Sequence, residues 1–93
     1  MIVSIRHKGI RRFYDDGDRS KLPADMVDRI ARILLALDTA ASIEALAAIH
    51  TFRLHALRGE LDGFWSVTVR ANWRIIFRME GRDITDVDFL DYH

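Results

Sequence analysis

Cysteine is absent from this 93-residue sequence, which excludes both a disulfide framework and a thiolate metal site. A chain that needs no oxidising compartment is expected, by default, in the cytoplasm. Proline occurs once and glycine five times, too little of either for a disordered or low-complexity chain. Apolar runs are short: nothing approaches the length of a membrane span. Met1 to Lys8 places its apolar residues before its positive charge, the reverse of a secretory signal. Net charge is lacking too, at a formal value of zero, so no global excess of one sign draws the chain to nucleic acid or membrane.

That zero hides an uneven distribution. Residues 1–22 carry six basic and three acidic side chains, and residues 51–78 carry five and two, so both segments are net +3. Residues 23–50 and 79–93 offset them at −2 and −4. Basic patches of this kind can track phosphates, although solvated charged faces give the same counts.

What is present suffices for one core. Hydrophobic residues make up 49% of the chain, and a chain this short fills a single domain, here residues 1–93. Ile2 to Ile5 is β-prone, and Ile10, Phe13 and Tyr14 recur at helical spacing before Gly17, a natural helix stop. Pro23 opens a second helix at a position where its missing N–H costs nothing. Along that helix Met26, Val27, Ile30, Ile33, Leu34 and Leu37 form one apolar stripe. A short helix is expected around Ile43 to Leu46. From Thr51 the period changes to that of strands, with Phe52, Leu54 and Leu57 alternating with polar residues.

Trp65, Val67 and Val69 alternate with Ser66, Thr68 and Arg70, while Trp73, Ile75 and Phe77 alternate with Arg74, Ile76 and Arg78. The apolar faces of these two strands coincide if Val69 faces Trp73. That predicts a three-residue loop, Arg70-Ala71-Asn72, with Asn72 in the left-handed position. Arg74 then lies on the face opposite Trp73. Ile84 to His93 forms a last strand with Val87 and Phe89 in the core. The fold class is therefore α+β: a strand, then two helices, packed on a mainly antiparallel sheet.

Histidine titrates nearest neutrality, so His7, His50, His55 and His93 are the first places to look for proton transfer. Each alone is more often structural or simply exposed. Asp91-Tyr92-His93 groups a carboxylate, a phenol and an imidazole, and the terminal α-carboxylate adds a second negative charge beside His93. Both charges favour the imidazolium, the form a general acid needs to protonate an RNA 5′-oxygen. A frayed polar tail has the same composition. His55 lies three residues before Arg58, and Arg74 adds a fixed charge from the hairpin. Arginine suits neutralisation of a crowded phosphorus because its planar fork binds phosphate oxygens in pairs. A salt bridge from Arg58 to Glu60 or Asp62 is the structural alternative. Neither a His-x-x-x-His nor a cysteine pair occurs, which leaves a metal site well behind. Gly59 and Gly63 bracket Glu60-Leu61-Asp62, whose charge would repel a nucleotide, so a phosphate loop is excluded.

Three blocks carry a family resemblance: Leu54-His55-Ala56-Leu57-Arg58-Gly59, then Gly63-Phe64-Trp65-Ser66-Val67-Thr68-Val69-Arg70-Ala71-Asn72-Trp73-Arg74-Ile75, then Asp91-Tyr92-His93. Together they resemble the HigB toxins of the RelE superfamily, also described as plasmid maintenance killer proteins, and the likeness extends over essentially the whole chain. The resemblance implies a compact RelE-like fold and ribosome-dependent cleavage of mRNA in the aminoacyl site, without metal or other cofactor. It also implies neutralisation by a HigA-type helix-turn-helix antitoxin, with operator DNA bound only through that antitoxin. His55, Arg58, Arg74, Asp91, Tyr92 and His93 are the implied catalytic set, with the base open between His55 and Asp91. Arg58 stands where some relatives have lysine. Arg6, Lys8, Arg11 and Arg12 are candidates for ribosomal RNA contact, with a solvated helix face as the alternative. A ParE-type toxin that poisons gyrase shares the architecture, and a catalytically inactive binding module is the third possibility.

Overall fold

His7 opens the first helix, α1 (Lys8–Asp16), by accepting a hydrogen bond from the Ile10 N–H at its ring Nδ1, 3.1 Å away. Gly17 closes it at φ 74°, a left-handed conformation that glycine enters without a Cβ penalty. The structure, a computed structural model, describes residues 1–92. Pro23 does not start the second helix directly. It caps a 3₁₀ turn, Ala24–Met26, and α2 (Val27–Thr39) follows. Asp25 in that turn pairs with Arg70, so it ties the turn to the sheet and does not sit in the first α-helical turn.

Every residue of the expected stripe, Met26, Val27, Ile30, Ile33, Leu34 and Leu37, is buried. Burial of each such side chain is worth about 1.5–3 kcal/mol before chain entropy is counted, so this face anchors α2 on the sheet. A short α3 (Ile43–Ala47) begins where Ser42 Oγ accepts from the Ala45 N–H at 3.2 Å.

Four antiparallel strands follow in the order of the chain: β1 (His55–Ala56), β2 (Trp65–Arg70), β3 (Trp73–Glu80) and β4 (Asp83–Asp91). The period-2 alternation splits the sheet into two faces. Val67, Ile75, Phe77, Val87 and Phe89 lie under the helices in the main core. On the other face Leu57, Phe64 and Ile76 form a second, smaller cluster, flanked by Leu61 and Leu90. No helix among the described residues is long and apolar enough to cross a membrane.

Three further sequence expectations are corrected. Ile2 to Ile5 is not a regular strand but makes two isolated parallel bridges, Ile2 to Ile84 and Ile5 to Val87. The ladder is interrupted because Asp86, between those partners, turns left-handed at φ 55°. Its N–H is met by the hydroxyl of Ser4 at 2.9 Å instead of a backbone carbonyl. The strand expected from Thr51 is reduced to His55–Ala56, because His50–Phe52 forms a 3₁₀ turn. Burial of Phe52 in the main core explains that turn, with the Arg29 guanidinium 5.4 Å above its ring.

The third correction concerns the β2–β3 hairpin. Arg70 pairs with Trp73, which leaves a two-residue turn, Ala71-Asn72, and the left-handed residue is Ala71 at φ 52°, not Asn72. The register shifts between Thr68 and Arg70, so Val69 is the extra residue of a bulge. A bulge shifts the alternation by one residue, and Val69 thereby stays in the core with Val67 and Trp73. The apolar faces coincide as expected, through a bulge and not a longer loop.

Candidate active site

The sheet face turned away from the helices collects most of the chemistry. Across it run two rows of paired residues: His55, Ser66, Ile76 and Asp88 in one, and Thr68, Arg74 and Leu90 in the next. The floor is the small apolar cluster around Phe64 and Ile76.

His55 is exposed on β1, and its Nδ1 lies 3.1 Å from the carbonyl oxygen of Arg53. A carbonyl can only accept, so this contact assigns the proton of the neutral ring to Nδ1 and leaves the lone pair on Nε2. That tautomer is the one a general base requires. Arg53 holds the carbonyl in place from a left-handed conformation, φ 50°, that ends the preceding 3₁₀ turn.

Arg74 folds back toward the hairpin. Its Nη1 donates to the carbonyl of Ala71 at 2.6 Å, while its buried Nε finds no partner among the described residues. A buried guanidinium N–H without an acceptor is costly. Tyr92 reaches the same turn from the other side, its N–H donating to the Asn72 carbonyl at 2.8 Å. One turn therefore positions both Arg74 and Tyr92. His55 lies two strands across and two residues along from Arg74, or about 12 Å between Cα atoms at ordinary sheet spacings.

Arg58 is exposed in an extended conformation just before the left-handed Gly59. Among the described residues it has no ion pair with Glu60 or Asp62, so the salt-bridge alternative is not realised there. Asp91 pairs with Trp73 across β3 and β4, which by alternation places it on the helix-side face, opposite to Leu90 and Arg74. The register therefore separates Asp91 from His55. His93 lies outside the described residues.

The four basic residues near the N-terminus divide. Arg6 turns to the open face, its guanidinium 5.4 Å above Phe64 and its Nε 3.5 Å from Asp86. Arg12 faces Asp18 at 3.9 Å, and the Asp18 carboxyl is held below its ordinary range chiefly by the backbone N–H of Ser20. Arg11 lines a groove of about 380 Å³ with Ile2 and Tyr14, and Lys8 lies on the exposed side of α1. Among the described residues no three His, Cys, Asp or Glu side chains gather to hold a metal ion.

Sequence reasoning missed Ser66. It pairs directly with His55, is fully buried, and its Oγ has no partner among the described residues. The polar alternation of β2 suggested a solvated face. The signal to the contrary was the run of Leu57, Leu61 and Phe64 just before it, which supplies a second apolar cover.

The profile of a family described as the RelE-like toxin of the type II toxin-antitoxin system HigB matches residues 3–93. The chain belongs to the HigB-like toxin family. Over 93 residues, all of both proteins, this HigB-like chain is 44% identical to Endoribonuclease HigB of Proteus vulgaris. Toxin HigB-1 of Vibrio cholerae serotype O1 is 30% identical over 79 residues, 84% of this chain and 83% of the relative. Among solved structures, a YoeB-YefM toxin-antitoxin complex from Staphylococcus aureus matches with a TM-score of 0.61 at 18% identity, covering 100% of this chain and 95% of that one. A YoeB/ParE toxin from Agrobacterium tumefaciens gives 0.56 at 18% identity, covering 99% and 96%. At such identities the likeness speaks for fold alone, and it bears out the RelE-like α+β architecture. As a HigB-like toxin of a type II system, the chain has an antitoxin for a partner.

Proposed function

We propose that this HigB-like chain is a metal-independent endoribonuclease that cuts mRNA in the ribosomal aminoacyl site, in the bacterial cytoplasm, and is silenced by a HigA-type helix-turn-helix antitoxin. The observation that carries the reading is the paired preparation of two side chains on one sheet face. His55 meets the Arg53 carbonyl through Nδ1, and Arg74 is held by the Ala71 carbonyl while its Nε has no partner among the described residues. The name of the Proteus vulgaris relative, Endoribonuclease HigB, agrees with that chemistry.

In the proposed reaction His55 Nε2 takes the proton of a ribose 2′-hydroxyl. The 2′-oxygen attacks the adjacent phosphorus and the 5′-oxygen leaves, giving a 2′,3′-cyclic phosphate and a 5′-hydroxyl. Arg74 and Arg58 neutralise charge as it builds on the phosphorus oxygens, the contribution that usually weighs most in such sites. His93 returns a proton to the leaving 5′-oxygen. Tyr92 stacks on a base beside the cleaved bond. No step needs a cation, so replacing magnesium by cobalt hexammine, which preserves ribosomes but offers no open coordination position, is expected to leave cleavage intact. Operator DNA is bound only through the antitoxin.

Primer extension on ribosome-bound transcripts after induction tests the reading. Discrete new 5′ ends within the message are expected. Intact message together with gyrase inhibition would overturn it in favour of a ParE-type toxin, and intact message with active gyrase would leave a binding module.

A further inference from the structure

Along β3 the side chains of Arg74, Ile76 and Arg78 share the open face by alternation, and His55 lies in the row of Ile76, midway between the two arginines. At the rise of an extended strand, the Cα atoms of Arg74 and Arg78 are about 13 Å apart. Arg74 and Tyr92 occupy the hairpin end of this stripe. Arg78 occupies the other end, and the reaction proposed above makes no use of it.

Arg78 is held in an unusual way for an exposed arginine. Its guanidinium carbon sits 4.4 Å above the ring of Phe64, and its Nε lies 3.7 Å from one oxygen of Asp86. Arg6 approaches the same ring, at 5.4 Å, and the other oxygen of the same carboxylate, at 3.5 Å. Gly63 leaves room for this arrangement: a Cβ there would come within 2.8 Å of Arg78 Nη1. Asp86 delivers its carboxylate from a left-handed backbone, φ 55°, at the break in β4, a conformation that costs free energy for a residue other than glycine.

Two guanidiniums share one carboxylate, so the cluster is left with one uncompensated positive charge. Both side chains remain about half exposed, at 46% for Arg78 and 55% for Arg6. Each faces Asp86 with its Nε, at 3.5 Å for Arg6 and 3.7 Å for Arg78, and Arg78 packs its Nη1 against Gly63. The nearest negative charge in the middle row, Asp88, turns an oxygen to the Phe89 N–H at 2.9 Å. Stacked, half-exposed guanidiniums of this kind match the oxygens of a phosphate diester.

We propose that Arg78 and Arg6, gathered by Asp86 over Phe64, form a second phosphate site that grips the backbone of the message on the far side of His55 from Arg74. The message then runs along β3, with the bond to be cut over the middle row. This inference rests on the ribonuclease reading for its substrate, but its test does not depend on cleavage. The contact gives affinity and register without reading sequence, because a phosphate carries no base information.

The test is the salt dependence of binding between the purified full chain and a fluorescent 2′-O-methyl RNA oligonucleotide, which cannot be cut. Each phosphate contact to a single strand contributes about 0.7 to the slope of log affinity against log salt. Arg78→Gln is expected to lower the slope by about that amount and to weaken all sequences alike. Arg78→Lys, which keeps the charge, is expected to restore most of the slope but not the full affinity. If Arg78→Gln does not fold, Arg6→Gln is expected to show the same loss of slope and carries the test. A wild-type slope in folded Arg78→Gln overturns the proposal, as does wild-type protein with no salt-dependent binding. A slope change seen on vacant ribosomes but not on the oligonucleotide overturns the message path and assigns the contact to ribosomal RNA. Should the oligonucleotide results hold while wild-type protein leaves ribosome-bound message intact, the ribonuclease reading falls and the phosphate site stands.

Discussion

The ring Nδ1 of His55 lies 3.1 Å from the carbonyl oxygen of Arg53, two residues earlier in the chain. Because Arg53 is left-handed, its carbonyl turns to meet the ring of the residue that begins β1. A short strand thus receives an oriented imidazole from purely local geometry, with no carboxylate needed to fix the tautomer.

Replacing His55 tests that arrangement directly. His55→Ala is expected to lower cleavage by ~10²–10⁴-fold, the usual contribution of a general base. Since His55 is exposed, the melting temperature should hold, with any change in stability within about 0.5 kcal/mol. Single-turnover cleavage on ribosomes beside a thermal melt checks both. A folded variant that cleaves at the wild-type rate removes His55 from the catalytic set.

Arg74 is the second test. Truncation to alanine is expected to cost ~3 kcal/mol of transition-state stabilisation, while binding of the antitoxin stays near wild type. Arg74→Lys should recover little, because a freely rotating ammonium lacks the planar fork that holds one N–H on the Ala71 carbonyl while aiming another at a phosphate oxygen in fixed geometry. Cleavage kinetics and antitoxin titration on the same preparations separate the two effects. Full activity in Arg74→Lys would show that charge alone suffices.

Ser66 allows a prediction of opposite sign. Its hydroxyl is fully buried without a hydrogen-bond partner among the described residues, and an unsatisfied buried group costs about 1–3 kcal/mol. Ser66→Ala is therefore expected to raise stability by about 1 kcal/mol in urea unfolding. A destabilised alanine variant would mean that the hydroxyl is satisfied in solution.

These sites were unequally legible in the sequence. Long-period features came through: the stripe from Met26 to Leu37 and the stop at Gly17 follow from helical spacing and from one residue type. Faces of the sheet came through as well, since period-2 alternation placed Arg74 opposite Trp73. Lost were the features that depend on single backbone angles. Nothing in Ala71 or Arg53 as residue types announces a left-handed conformation, and aspartate, though it enters that region more readily than most, does so too rarely to mark Asp86. The separation of Asp91 from His55 likewise needs the β3–β4 register. The carboxylates and basic residues were visible as a list, but which face each occupies was not.

The last prediction concerns Asp38, which joins three parts of the fold. One of its oxygens accepts both the Ile2 N–H and the Tyr14 hydroxyl, each at 2.9 Å. It thereby ties the N-terminal segment to α1 and α2. Asp38→Ala removes a charged acceptor from two donors at once and is expected to cost about 1–3 kcal/mol in urea unfolding. The pH dependence identifies the Tyr14 half of the link. Burial raises the Tyr14 pKa above the ordinary phenol value, and the hydrogen bond to Asp38 raises it further. A group whose pKa is raised by folding adds stability that is complete below its unfolded value and is lost as pH climbs through the folded one. Wild-type protein should therefore keep this contribution up to the ordinary phenol value, about 10, and lose it as pH climbs from there through the raised folded value. Tyr14→Phe has no proton to lose there, so its unfolding free energy should fall less over the same interval even though it starts lower at neutral pH. Parallel alkaline losses in wild-type and Tyr14→Phe protein would show that the hydroxyl is not engaged with Asp38 in solution, so that the carboxylate ties α2 to the N-terminal segment through the Ile2 N–H but not to α1 through Tyr14.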